Sequence, residues 1–155
     1  ALVLVTLLMI AVFRSLGLGL LAMIPNGLPL IVGSAFLVII GKDLDIGTVL
    51  VFSVCLGIAV DDTVHFLANY STQRRLGRSS SEAVAYIFTH TMPALVITTV
   101  VLVAAFGTFA FASFIPNRFF GILVAFVLSV ALITDAILLP ALLMKDEETD
   151  RAEES

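Results

Sequence analysis

The chain alternates long apolar runs with short polar breaks, and most of the runs are long enough to cross a bilayer. A helix rises about 1.5 Å per residue, so about 20 apolar residues span a hydrocarbon core of about 30 Å. Residues 16–41, 46–68, 92–114 and 119–143 meet that length, and among them only Asp61, Asp62 and Asp135 carry an acid. A fifth run, residues 1–13, is shorter. It has no basic flank before it, so it is a poor signal peptide. It is read as the end of a span that starts upstream, and the chain is expected to be a piece of a longer protein. The pattern predicts an all-α membrane protein, a bundle of about five transmembrane helices with the first one truncated.

The breaks carry local signals. Arg14 and Ser15 are expected to form a tight turn. Pro25 and Pro29, in "IPNGLP", each lack a backbone donor, and Gly27 loosens the chain, so a kink is expected there. Asp45 is placed to cap the helix that follows "GKDL". The longest polar stretch is "NYSTQRRLGRSSSE". Within it Ser79 and Glu82 have the spacing of a capping box, opening an amphipathic helix in a cytoplasmic loop over 70–91. Pro93 is expected to kink that helix into the next span. "IPNR", at 115–118, is expected to turn the chain, and the acidic tail over 145–155 to be disordered.

Composition sharpens the picture. The chain is 60% hydrophobic and 13% charged, against about 45–50% and about 25% for a soluble domain. The net charge of −4 arises mostly in the tail "KDEETDRAEES". No basic patch suits nucleic acid. Cys55 is the single cysteine, which excludes an intrachain disulfide and reads as a small packing residue. No nucleophile–base arrangement, metal-ligand cluster or Gly-rich phosphate loop argues for an enzyme, a resident metal or a cofactor.

Orientation follows from the cations. With five spans, Arg14, Arg74, Arg75, Arg78, Lys145 and Arg151 fall on one side, and Lys42 and Arg118 on the other. The first side is read as cytoplasmic, which puts the C-terminus inside a cell membrane, with a bacterial inner membrane the expected one.

The chemistry centres on "CLGIAVDDTVHF". A carboxylate within a span costs about 2.5–3.5 kcal/mol on insertion scales. Ser53, Gly57, Asp61, His65 and Asn69 recur every fourth residue and form one polar stripe, with Asp62 on its flank. Gly57, one turn before Asp61, would let a neighbouring helix approach closely. Two adjacent carboxylates away from water resist ionising together and titrate as a coupled pair. One of them can therefore carry a proton. A proton crossing about 100 mV releases about 2.3 kcal/mol, a scale that matches such a switch. Thr98 and Thr99 are the best-placed partners by depth. Asp135 is expected to reach the cytoplasmic interface.

These residues resemble the resistance–nodulation–division (RND) superfamily, in its MMPL/Patched-like branch. The resemblance rests on "LGIAVDDTVHFLANY", "AMIPNGLPLIV" and "DIGT" upstream, and "EAV" and "DAILLPALL" downstream. It implies spans eight to twelve of a twelve-span exporter of lipids or other hydrophobic compounds, driven by proton antiport. It implies Asp61 and Asp62 as the proton relay, with Gly57 as the motif glycine, and H⁺ as the coupling ion. The partners it implies are an N-terminal half and an extracytoplasmic domain of the same protein, the bilayer and a hydrophobic substrate. Homo-oligomerisation is left open. The alternative is a sterol- or lipid-sensing membrane module that transports nothing.

Overall fold

Local sequence signals start and stop most of the helices. The computed structural model describes the backbone of residues 2–13 and 16–153, and side chains within residues 5–144 other than 8, 12–16 and 18. The expected turn at Arg14 and Ser15 lies outside the described residues. The helices are α1 (Leu2–Phe13), α2 (Leu16–Leu21), α3 (Met23–Ile39), α4 (Ile46–Arg75), α5 (Ser80–His90), α6 (Met92–Gly107) and α7 (Ile115–Glu153). A 3-10 turn over Thr108–Phe111 follows α6.

Proline explains two of the breaks. A proline cannot donate to the carbonyl four residues earlier, and its ring crowds that carbonyl. For Pro25 that residue is Leu21, where α2 ends. For Pro93 it is Thr89, and α5 ends one residue later at His90. Pro29 instead lies within α3, so the kink expected over "IPNGLP" is displaced to its N-terminal edge.

The caps form as expected. The Thr48 amide donates to Asp45 Oδ1 at 2.7 Å, and Thr48 Oγ1 accepts from the Asp45 amide at 2.8 Å. At the start of α5 the Ser79 amide donates to Glu82 Oε2 at 2.9 Å, and this bond holds the Glu82 carboxyl below its ordinary range. Helix α4 ends in a Schellman turn. Gly77 takes φ +84°, its amide donates to the Arg74 carbonyl, and the Arg78 amide donates to the Gln73 carbonyl. Gly41 does the same after α3, at φ +66°.

Three elements differ from expectation. Helix α4 continues past 68 to Arg75, so its 30 residues span about 45 Å and outreach the bilayer core. "IPNR" does not turn the chain; it opens α7, because proline fits the first turn of a helix, where no intrahelical donor is needed. Helix α7 also runs on to Glu153, through most of the tail expected to be disordered. Glu, Lys, Ala and Arg favour helix.

Four segments are long and apolar enough to cross a membrane: Gly19–Ile39, Ile46–Arg75, Met92–Phe111 and Ile115–Met144. Helix α1, with 12 residues, falls short of that length. The protein is an all-α membrane bundle, and α7 is its organising helix, packed against α3, α4, α5 and α6.

Its core has two apolar ends. One gathers Leu37, Val51, Cys55, Leu123, Val124, Val127 and Leu128. The other gathers Met9, Ala22, Phe66, Leu67, Tyr70, Ala83, Val84, Ile87, Leu139 and Leu143. Tyr70 and Ser80 share a 2.7 Å hydrogen bond that ties α4 to α5. Between the two ends, in chain order along α3, α4 and α7, lie buried polar residues.

Helix α7 comes close to the end of α6 at Gly121. A Cβ there would collide with the Phe106 carbonyl oxygen and with Phe109. The first of these is backbone and cannot swing away. Gly121→Ala should therefore separate α7 from the end of α6 and cost about 1–3 kcal/mol. Denaturant unfolding in mixed micelles measures it, and an unchanged midpoint would mean that this contact has slack.

Candidate functional site

Helix α4 turns about 100° per residue, so two neighbours at the edge of its buried face can fall on opposite sides of that edge. Its buried positions include Val51, Cys55, Ala59, Asp62, Thr63, Phe66, Tyr70 and Gln73. The stripe Ser53, Gly57, Asp61, His65 and Asn69 lies on the other side. The two neighbouring aspartates are thus divided. Asp62 is 9% exposed and faces the core, whereas the Asp61 side chain is 75% exposed and faces away.

The rest of the stripe follows Asp61. His65 Nε2 lies 3.8 Å from Asp61 Oδ1. Asn69 Nδ2 donates to the His65 carbonyl at 3.0 Å. Ser53 Oγ turns back to the Val49 carbonyl at 3.0 Å. Gly57 is exposed, and a Cβ on it would meet nothing within 4 Å. The close neighbour expected at Gly57 is therefore not among the described helices.

The two threonines also divide. Thr98 is exposed and donates to carbonyls of its own helix, Ala94 at 3.1 Å and Leu95 at 2.9 Å. Thr99 is buried, and its hydroxyl lies 3.4 Å from Asp62 Oδ2 and 2.8 Å from the Leu95 carbonyl. A hydroxyl has one proton, and the shorter contact takes most of it. Thr99 therefore marks Asp62 as a neighbour across α4 and α6 and holds it weakly.

Between α4 and α6 runs a groove of about 710 Å³, lined by Gly57, Asp61, Asp62, His65, Thr98 and apolar side chains of α6. It is where the two carboxylates come nearest to a shared space. It contains no cation except a protonated His65, and among the described residues no cluster of His, Cys, Asp and Glu is arranged to hold a metal.

A second polar centre was not read from the sequence. Asn26 on α3, Thr63 on α4 and Asp135 on α7 meet in the core. Asp135 is 2% exposed. The expectation that it reaches the interface is corrected, because α7 turns this position toward α3 and α4. Asn26 Nδ2 donates to the Ala22 carbonyl at 2.7 Å, next to the proline break. A lone Asn in an uncharged span was the available signal, since a buried amide needs partners. The other α7 hydroxyls serve their own helix: Ser129 bonds Ala125, and Thr134 bonds Val130.

No protein-family model, curated protein or solved structure matches the chain.

Proposed function

We propose that this bundle is the membrane portion of a proton-motive-force-driven exporter of the RND type, moving lipids or other hydrophobic compounds. Asp61 and Asp62 are its proton relay. The observation that carries the reading is the exposed Asp61 carboxylate, about 15 residues into a 30-residue apolar helix. Lipid cannot solvate it, and such exposure costs about 2.5–3.5 kcal/mol or more. That face therefore meets water or further helices, from the same protein or a partner.

The division of the pair gives the proton somewhere to go. Asp61 opens to the groove, and Asp62 lies against α6 in the core. A proton passing from one to the other changes the charge that α4 presents to the bundle. The free energy of one proton falling through about 100 mV, about 2.3 kcal/mol, is enough to bias a packing equilibrium roughly fiftyfold. The cation bias puts the C-terminus in the cytoplasm, so protons enter from the side of Lys42 and Arg118.

The test uses the full-length protein with Asp61→Asn and Asp62→Asn. Both variants should reach the membrane at normal levels, and both should lose export. Export that persists in both removes the relay. A lipid-dependent conformational change that ignores the proton gradient, with no export by the parent protein, would favour a sterol- or lipid-sensing module.

A further inference from the structure

The Asn26–Thr63–Asp135 cluster is independent of the groove and of the relay just proposed. Each of its side chains is 2% exposed or less. Thr63 Oγ1 lies 3.0 Å from the Ala59 carbonyl, 3.2 Å from Asn26 Oδ1 and 3.2 Å from Asp135 Oδ1. All three neighbours are acceptors, and the hydroxyl has one proton to give. Asn26 cannot be turned to supply another. Its Nδ2 faces the Ala22 carbonyl at 2.7 Å, and a flipped amide would set two oxygens against each other.

Asp135 makes the shortage worse. Its Oδ2 is buried with no hydrogen-bond partner. No Lys, Arg or His is buried among the described residues. Asp62 on α4, the other buried carboxylate among the described residues, is another acid. Helices α3 and α6 carry no ionisable residue. On α4, Asp61 and His65 face away, and Tyr70 is engaged with Ser80. On α5, Glu82 is engaged at the cap and Tyr86 stacks on His90. An unpaired carboxylate in such a place costs more than its surroundings return, and the group takes up a cation instead.

We infer that Asp135 is a second proton-binding site: a neutral carboxylic acid that donates to Thr63 and so locks α3, α4 and α7 together. With that proton the donors run in one direction. Asp135 donates to Thr63, Thr63 shares its one proton between the Ala59 carbonyl and Asn26 Oδ1, and Asn26 donates to the Ala22 carbonyl. Each bond polarises the next. Removing the proton leaves an unpaired charge at the crossing of three helices. The lock therefore opens by deprotonation, at a place where the bundle has no other polar link between α3 and α7 among the described hydrogen bonds.

The experiment is infrared spectroscopy of the full-length protein in lipid nanodiscs near neutral pH, with and without added sodium. The wild type should show the carbonyl stretch of a protonated carboxylic acid, Asp135→Asn should lack it, and sodium should not change it. Thr63→Val serves if Asp135→Asn fails to fold, because loss of the acceptor should shift the band to the frequency of an unbonded acid. A wild-type spectrum identical to that of Asp135→Asn, or a band unmoved by Thr63→Val, overturns the proposal. A band that sodium abolishes overturns it as well, and assigns the cluster to a metal cation.

Discussion

On the relay proposed above, Gly57→Leu in the full-length protein is expected to abolish export while leaving the described bundle folded. The reason is geometric. Nothing lies within 4 Å of a Cβ built on Gly57, and the rest of a leucine side chain can extend into the groove between α4 and α6. Within α4 it removes a glycine from a helix interior, which by itself favours the helix by about 0.5–1 kcal/mol. Yet Gly57 lies one turn from Asp61 on the outward stripe. If further helices cover that stripe, a glycine there lets their backbone come close. A leucine would hold them off and part Asp61 from its partner. Helical content and thermal stability of the purified protein should stay at or above those of the parent, and proton-coupled export should be lost. Full export by the variant would show that the stripe lines water rather than a packed helix, and the relay would then need no partner helix.

What could be read from the chain depended on whether the deciding contact was local. Asp45 with Thr48, Ser79 with Glu82, and Pro93 with the carbonyl four residues before it are interactions within one turn. Residue types and spacing are sufficient to place them. The rotation of each helix is different. In a soluble bundle an apolar stripe tells the inward face from the outward one. Here lipid is as apolar as the core, so Ile137, exposed, and Leu139, buried, have the same character. Nothing along α7 marked Asp135 as inward. Its distance from the acidic tail suggested the interface, and packing against α3 and α4 overrode that. The same ambiguity hid the division of Asp61 from Asp62. Periodicity groups the stripe on one side of α4, but only the packing of α4 against α7 decides which aspartate it leaves outside. The continuation of α7 through the tail has another cause. Charge density suggested disorder, while the helix propensity of the same residues extends an existing helix, which needs no new nucleus.

The lack of a solvent contrast also sets the size of the last expected effect. Phe66 is 0% exposed, within the apolar end formed by α4, α5 and α7. In a soluble core Phe→Ala costs about 3–5 kcal/mol, part of it the transfer of the ring from water. In a bilayer the unfolded helices keep their side chains in lipid, so that part disappears. What remains is the void. At about 24 cal/mol per Å³ and a void on the order of 100 Å³, Phe66→Ala should cost about 2.4 kcal/mol. Phe111, 91% exposed in the 3-10 turn that follows α6, provides the control. Phe111→Ala should shift stability by less than about 0.5 kcal/mol. Unfolding of both variants in mixed micelles gives the two numbers. Equal losses would mean that the apolar cluster around Phe66 is not a packed core. A loss near 5 kcal/mol for Phe66→Ala would carry a different message: the water-transfer part has returned, and the end of α4 that carries Phe66 projects beyond the bilayer with α5 as its cover.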